Sequence, residues 1–512
     1  EVMFLLGRRL YMSELYQNLG FRENPFSRFS AEEEIEYLEK IYIQPRYFQT
    51  LMTDLINGSS RFIFGERGSG KSALILELCR ELSKRNVLPV LIDKYDDIPL
   101  ENNDKHLLLL IIRSILTNFV VLLTKNPVYL RKLNKYQKEK LSIFIRDFYR
   151  SISKSEFEDA YNKVTRYKSK NFIKKILNVF LNKPINITIS SGIEIGSDFI
   201  RKSLNLPKSD NVDFYKSYIP EFRIEVLSQE EKEEKFLQSY KLLKDILFEL
   251  TQLIKSVGFK NTVVFLDRID EFRALDGKIN NMVQFTEQIL RDTDLLYSKH
   301  LSLVFSIWTE VKQRLNEKGV RFDKFKPIDI TWTNEDILRV LNKRLNHFSI
   351  VEPYNVDNLF ERKDELSSLI ELSNKSPRDL IRLFSTIYDE QSTTDSNSNY
   401  FQEICVTQAK IKYCKDYDYY SIFPSKMGTR EDIISIINKI LRVGRTQFRS
   451  TDLVNEFKFS TQSANNYIKI MKDYGLIIDN DQIASGTKEY IVVDPKIKYL
   501  INRRIKVLRE IS

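Results

Sequence analysis

The chain has 512 residues, of which 42% are hydrophobic and 29% are charged. This composition excludes an intrinsically disordered protein, and the length allows roughly two to four domains. The formal net charge of +10 favours an acidic partner, although a lysine-rich solvated surface gives the same charge. Three scattered cysteines and three scattered histidines exclude a disulfide framework, argue against a zinc site and favour a cytoplasmic protein.

Residues 1–60 are interpreted as an N-terminal extension and a segment that leads to the first strand. The sequence GFRENPF at 20–26 lies within it. Ser30, followed by Ala-Glu-Glu-Glu, predicts the N-cap of an acidic helix that runs to Ile41. A second helix is predicted over 45–56.

Residues 65–72, with the sequence GERGSGKS, match the pattern GxxxxGK[ST] at every fixed position. A strand-like run at 62–64 precedes them and a helix-like run follows at 73–78, which is the context that a phosphate-binding loop (P-loop) requires. Backbone N–H groups would point at a β-phosphate, Lys71 would reach the β- and γ-phosphates, and the Ser72 hydroxyl would ligate Mg²⁺. The predicted ligands are therefore ATP and Mg²⁺, and an ordinary glycine-rich turn is the weaker interpretation. The predicted nucleotide-binding residues here are Gly65, Glu66, Arg67, Gly68, Ser69, Gly70, Lys71, Ser72 and Ala73.

A buried parallel strand is predicted over 87–93, and the longest apolar run of the chain follows it at 107–124. Arg113 and Asn118 interrupt this run, and a membrane interior penalises such groups. A buried helix is therefore favoured over a membrane span.

Residues 125–235 are rich in Lys and Arg with interleaved aromatic side chains, and we interpret them as a basic, mostly helical insertion. The stretch 184–199 alternates like strands broken by glycine. The basic helices fit contact with nucleic acid and a solvated helical lid equally well.

A helix is predicted over 230–256, and the sequence NTVVFLDRIDE follows at 261–271. An apolar strand that ends in Asp267 is the expected partner of a P-loop, in which the carboxylate holds the Mg²⁺ hydration shell. The next strand, 301–309, ends in polar residues. Ser306 and Thr309 are candidates there for sensing a γ-phosphate.

A helix with a capping signature is predicted to start at 333–336, and helices follow to about residue 390. One of them begins at Pro377 and places Arg378 in its first turn. The helix dipole disfavours Arg at that position, and a bound phosphate facing Arg378 would remove the mismatch. Residues 391–399 are predicted to be a polar linker.

Residues 427–512 predict a separate domain with three helices and a β-hairpin, which is the pattern of a winged helix. Its third helix covers 461–474, with Ser460 as its N-cap. This pattern predicts DNA binding, and a winged helix that contacts only proteins is the alternative. The candidate DNA-contacting residues are Gln462, Asn465, Asn466, Lys469, Lys472 and Lys488.

In this order, GFRENPF, GERGSGKS, VVFLDRIDE, FSIWT, SPRDLIRLF and the terminal winged helix resemble the initiator-type AAA+ and STAND ATPases. These comprise origin-recognition proteins and bacterial P-loop ATPases found near defence and mobile-element genes. The resemblance implies an α/β P-loop NTPase core, a parallel sheet flanked by helices, at 61–124 and 236–332. It also implies an adenine-side segment within 1–60, a helical lid at 333–426, and contact of Arg378 with the γ-phosphate. Tyr42, Ile43 and Phe48 are candidates for packing on the adenine.

One departure from this family concerns hydrolysis. The family places a glutamate directly after the strand aspartate, and here Arg268 follows Asp267. Asp270 or Glu271 would have to position the attacking water. Since phosphoryl transfer depends on positioning, the sequence predicts a slow switch.

Three functions remain open from the sequence. The first is an ATP-dependent switch that binds DNA, assembles as a homo-oligomer and acts in bacterial genome maintenance or defence. The second is a signalling ATPase whose winged helix and insertion bind a partner effector protein. The third uses 107–124 in a membrane, as in the KAP-type ATPases, and the sequence favours a protein without a membrane span.

Overall fold

A computed structural model describes residues 14–96, 98–148, 239–422, 432–480 and 488–508. Most of the basic insertion, the strand-like stretch 184–199 and the start of the helix predicted from residue 230 lie outside the described residues. The structural statements that follow concern the described ranges.

The larger of two sheets is entirely parallel and has the strand order β2-β3-β4-β1-β5. Its strands are β1 (Arg61–Phe64), β2 (Leu88–Ile92), β3 (Thr262–Leu266), β4 (Leu301–Ile307) and β5 (Ile328–Asp329). Every residue of β1, β3 and β4 is buried, because helices cover both faces of the sheet. This confirms the predicted parallel sheet flanked by helices, which fits a P-loop NTPase fold.

Helices cover the two faces of this sheet. The helices of this part of the chain are α1 (Leu15–Asn18), α2 (Leu38–Ile41), α3 (Phe48–Ile56), α4 (Lys71–Lys84), α5 (Asn103–Lys125), α6 (Lys135–Phe148), α7 (Tyr240–Ser256), α8 (Ile279–Arg291), α9 (Thr293–Leu296) and α10 (Thr309–Glu317). Of these, α1 packs instead with the helices that follow β5, since Leu15 joins their apolar cluster. Strand residues point alternately to the two faces, so Phe62 and Phe64 join the apolar cluster of α5 to α8. Ile63 between them joins the cluster of α3 and α4.

Helix α5 contains the apolar run. Residues 103–123 are long and apolar enough to cross a membrane by length and composition alone, yet 67% of that stretch is buried inside the protein. Its apolar side chains pack with α7 and with residues 130–148, including Leu141 and Phe144. The run therefore forms a core helix, as predicted.

The prediction of an acidic helix over 30–41 is mostly wrong, because only α2 at the end of this stretch is helical and residues 31–37 form turns. The Ser30 hydroxyl does accept the N–H of Glu33, at 3.4 Å. Two glutamates of this stretch instead make distant ion pairs, Glu32 with Arg268 and Glu34 with Arg344. These tertiary contacts outweigh the local preference for a helix.

A group of helices follows β5. They are α11 (Asn334–Phe348), α12 (Glu365–Leu372), α13 (Pro377–Thr394), α14 (Glu403–Asp416) and α15 (Tyr419–Ile422). The N-terminal segment packs on this group, since Phe26 stacks on Phe384 with ring centroids 4.9 Å apart. The linker predicted from residue 391 begins later, because α13 continues to Thr394. Gln391 is fully buried, and its side chain accepts the N–H of Gln402 at 2.8 Å, which holds the last turn of α13 in place.

The C-terminal unit contains helices and a three-stranded antiparallel sheet of order β6-β8-β7. Its elements are α16 (Ile433–Val443), β6 (Gln447–Arg449), α17 (Ser450–Phe457), α18 (Thr461–Asp473), β7 (Ile477–Asp479), β8 (Glu489–Val492) and α19 (Pro495–Asn502). Three helices and the hairpin lie where the sequence predicted them, and the Ser460 hydroxyl caps α18 at 3.2 Å. Strand β6 and helix α19 were not predicted, although Asp494 and Pro495 are an N-cap and first-turn signature.

Candidate functional site

The loop at 65–70 joins β1 to α4 and turns through two glycines with positive φ, Gly68 at 80° and Gly70 at 93°. This left-handed conformation favours glycine because a side chain would be strained there. A Cβ on Gly68 would also lie 2.7 Å from the Ser376 hydroxyl. Glycine at 68 therefore allows the start of α13 to approach the loop.

Lys71, Ser72 and Asp267 meet at the edge of the sheet where β1 and β3 end. The buried Lys71 ammonium donates to the carbonyl oxygens of Gly65, at 2.7 Å, and Glu66, at 3.1 Å. Burial lowers the pKa of Lys71, while nearby carboxylates oppose that shift. The Ser72 hydroxyl donates to Asp267 Oδ2 at 2.7 Å. Mg²⁺ prefers oxygen ligands, and this hydroxyl and this carboxylate oxygen lie close enough together to bind the same ion.

Burial raises the pKa of Asp267, and the hydroxyls of Ser306 and Ser72 act against that rise. A bound cation would act in the same direction as the hydroxyls, because it favours the ionised carboxylate. Ser306 is fully buried on β4 beside Asp267. Thr309 begins α10, and neither Ser306 nor Thr309 lines the cavity described below.

The two acids after β3 have different partners. Asp270 is held by the P-loop, since Arg67 Nε lies 3.0 Å from Asp270 Oδ2 and Arg67 also donates to the Asp270 carbonyl at 3.1 Å. The Glu271 side chain is 55% exposed, and Arg268 Nε lies 3.9 Å from it. Burial of its carboxyl raises the pKa of Glu271. Glu271 is therefore the less constrained of the two.

Arg268 leaves β3 in the left-handed conformation, with φ of 58°. Its guanidinium forms an ion pair with Glu32 of the N-terminal segment. Both side chains line the cavity and are about one third exposed. Arg268, the residue directly after Asp267, thus contacts the N-terminal segment through Glu32.

Arg378 lies over the P-loop from the opposite side. Its backbone N–H points at the Gly68 carbonyl at 3.5 Å, and the Ser376 hydroxyl donates to the same oxygen at 3.3 Å. Within the described part of the chain, the buried Nε of Arg378 has no hydrogen-bond partner. An anion such as a phosphate would satisfy this donor.

These side chains border a cavity of about 420 Å³, a size typical of small-molecule sites. Its lining includes the charged groups of Lys71, Asp267 and Arg378 and the largely apolar side chains of Leu38, Ile41, Tyr42, Ile43, Val340 and Ile381. Ala73 lines the cavity as well, whereas Phe48 lies in the core beside α4. A lining with both charged and apolar parts fits a phosphate chain joined to a base.

Both tryptophans of the chain bond to the P-loop, and sequence analysis identified neither. The Trp308 indole N–H donates to Glu66 Oε2 at 2.9 Å, and the Arg67 guanidinium lies 5.5 Å from the Trp308 ring. The Trp332 N–H donates to the Ser69 carbonyl at 2.8 Å. The only sequence signal was position, because Trp308 directly follows β4 and Trp332 lies shortly after β5.

Five of the six candidate DNA-contacting residues lie on α18, and Lys488 lies outside this helix. Four exposed residues of α18 lie on the same face, namely Gln462, Asn465, Asn466 and Lys469. Lys488 is exposed immediately before β8. Lys472 differs, because it pairs with Asp479 at 2.5 Å and lies 4.9 Å from the Tyr490 ring.

No family model and no curated protein matches the chain. Three solved structures resemble it over nearly all of both chains. CDC6P from Pyrobaculum aerophilum is 12% identical, with a TM-score of 0.32, and the match covers 96% of this chain and 97% of that one. Drosophila ORC bound to DNA is 11% identical, with a TM-score of 0.30 and coverage of 98% and 95%. The ORC2 protein of Aeropyrum pernix, solved as ADPNP-ADP complexes, is 10% identical, with a TM-score of 0.40 and coverage of 95% and 98%. TM-scores this low leave the nature of the site to be argued from the chain's own residues.

Proposed function

We propose that the chain is an ATP-binding, slowly hydrolysing switch that binds DNA, in bacterial genome maintenance or defence in the cytoplasm. The observation that carries this proposal is the bond between Ser72 and Asp267 beside the buried Lys71. The opposite wall of the same cavity carries Arg378. The P-loop, the two oxygen ligands that Ser72 and Asp267 offer to Mg²⁺, and Arg378 together support binding of a nucleoside triphosphate.

Each part of the site would contact a different part of the nucleotide. The backbone of 65–72 and Lys71 would bind the β- and γ-phosphates, and Arg378 would bind the γ-phosphate. Ser72 and Asp267 would hold Mg²⁺, which neutralises charge on the phosphates. The apolar side chains of Tyr42 and Ile43, which line the cavity, would pack on the base. Residues 333–426 would act as the lid, because α13 brings Arg378 to the P-loop.

Slow hydrolysis is proposed because the residue directly after Asp267 is Arg268 and not a glutamate. The Arg268 side chain forms an ion pair with Glu32. Of the two remaining acids, Asp270 is engaged by Arg67. Both acids line the cavity, and Glu271, the more exposed of the two, is the candidate for positioning water. Because the Glu271 side chain is held less rigidly, it would position the attacking water less well, and this would lower the rate of ATP hydrolysis.

DNA binding is proposed for residues 427–512 acting as a winged helix. Exposed amides and lysines on one face of α18 suit base edges and phosphates. In the described part of this unit, Lys and Arg outnumber Asp and Glu. A homo-oligomer assembled on DNA would place several such units along one duplex.

The decisive experiment measures ATP turnover and duplex DNA retained on a filter, with and without ATP, across a salt series. We expect DNA affinity to fall steeply with salt, because lysine contacts release counterions. Lys469→Ala should weaken binding and reduce the logarithmic salt slope by about one. Lys412→Ala is the matched control, an exposed lysine of α14 paired with Glu390.

A protein without salt-sensitive DNA affinity, in either nucleotide state, would overturn the DNA half of the proposal. ATP binding would then favour the second function, a signalling ATPase that binds a protein effector. One observation supports that alternative. Ile478 on β7 and Val493 after β8 are 54% and 43% exposed, and exposed apolar side chains favour contact with a protein.

A further inference from the structure

We propose that a buried chain of polar contacts couples the P-loop to the C-terminal unit. This relay consists of Ser376, Asp379, Tyr417, Lys496 and Asp494. It rests on the proposed function only in requiring that a nucleotide bind the cavity, and it does not depend on DNA.

The relay begins at the P-loop. The Ser376 hydroxyl donates to the Gly68 carbonyl at 3.3 Å and accepts the N–H of Asp379 at 3.2 Å. Ser376 is the N-cap of α13, so these bonds tie Gly68 to the turn that carries Arg378. Binding of phosphate by Gly68 and Arg378 would therefore shift the first turn of α13.

The second step leads from α13 to the end of α14. Asp379 is 4% exposed, and its Oδ2 accepts the Tyr417 hydroxyl at 2.7 Å. Within the described ranges, Asp379 Oδ1 has no hydrogen-bond partner. Burial and the Asp379 carboxylate raise the pKa of Tyr417, so the phenol keeps the proton it donates. The position of Asp379 is thus tied to that of Tyr417.

The third step enters the C-terminal unit. Lys496 is 1% exposed, and its ammonium lies 4.4 Å from the centroid of the Tyr417 ring. The ammonium also pairs with Asp494 Oδ2 at 3.1 Å. The other oxygen of Asp494 accepts the N–H groups of Lys496, at 2.8 Å, and Ile497, at 3.1 Å, and so caps α19. A shift of Tyr417 therefore changes the contacts that hold the start of α19.

Three buried charges at this boundary are difficult to explain by stability alone. Apolar side chains of similar volume commonly stabilise a protein as well as a buried ion pair does. A buried charge that loses its partner is strongly disfavoured, so the contacts tend to change together. Continuous networks of packed side chains, hydrogen bonds and ion pairs can carry coupling between distant sites.

The test uses the full chain and hydrogen exchange of the α19 amides, with and without Mg²⁺ and a non-hydrolysable ATP analogue. In the wild type, we expect the analogue to change exchange at the start of α19 by about fivefold or more, as for typical coupling. Tyr417→Phe removes the hydroxyl bonded to Asp379. It should abolish that response while keeping affinity for the analogue within about threefold, since Tyr417 does not line the cavity.

Tyr413→Phe is the matched control. Tyr413 lies one turn before Tyr417, and its buried hydroxyl has no hydrogen-bond partner in the described part of the chain. It should respond as the wild type does. Lys496→Met keeps the apolar stem and removes the charge, and it should also abolish the response. If Tyr417→Phe does not fold, Lys496→Met decides the question.

Two results would overturn the relay alone. One is a wild type that binds the analogue without any change in α19 exchange. The other is a folded Tyr417→Phe or Lys496→Met variant with the wild-type response. A wild type that binds no nucleotide would overturn both the relay and the proposed function. Failure to bind DNA would leave the relay standing, because no DNA is present in the measurement.

Discussion

Lys71→Ala is expected to lower affinity for Mg²⁺-ATP by about 100-fold or more. The ammonium is the one cation of the P-loop motif that would contact two phosphates, and each hydrogen bond to a charged group contributes about 1.5–3 kcal/mol. The fold should persist, because the Lys71 ammonium bonds to carbonyl oxygens of its own loop, those of Gly65 and Glu66. The measurement is a titration followed by the emission of Trp308 and Trp332, which both bond to the P-loop.

Lys84→Ala provides the matched control for that titration. Lys84 lies at the other end of α4, and its side chain is 54% exposed and paired with Glu81 at 2.9 Å. Exposed pairs of this kind contribute little to stability, so this variant should bind nucleotide as the wild type does. Equal affinity of Lys71→Ala and wild type would contradict the assignment of the P-loop.

The parts of the fold that follow from short sequence patterns were predicted well. The loop at 65–72 specifies its own geometry, since its glycines and its position between a strand and a helix leave few conformations. The strands of the large sheet read as uninterrupted apolar runs because both faces are covered. Helix α18 was predicted with its cap because Ser460 acts on the backbone three residues away.

The parts that depend on distant residues were missed. Residues 31–37 have a helical composition but form turns, because Glu32 and Glu34 bind arginines more than 200 positions away. The partner of Arg67, Asp270, lies 203 positions along the chain. Sequence analysis could name Asp270 and Glu271 as candidates. It could not show that the P-loop engages Asp270, while Glu271 stays more exposed on the wall of the same cavity.

Glu271→Gln is expected to lower ATP turnover by about 100-fold or more while nucleotide affinity changes little. A positioned general base typically contributes 10²–10⁴-fold, and glutamine keeps the size of the side chain while removing its basicity.

Asp270→Asn should act differently, because asparagine can still accept the bond from Arg67 Nε. We therefore expect this variant to keep most of the wild-type turnover. Asp276→Asn, at an exposed acid paired with Lys278, is the control and should change neither turnover nor affinity. If Asp270→Asn lost turnover and Glu271→Gln kept it, the two roles would be reversed.

The pH profile gives an independent test of the same assignment. A general base acts in its ionised form, so turnover should fall as pH drops through the pKa of Glu271. Burial raises that pKa, which places the fall above the ordinary range of a glutamate. The ratio kcat/KM for ATP reports the pKa of the free enzyme, and its pH profile should show this fall in the wild type and in Asp276→Asn. The residual activity of Glu271→Gln should lack it, since glutamine does not titrate, and an unchanged acid limb in that variant would assign the titrating group elsewhere.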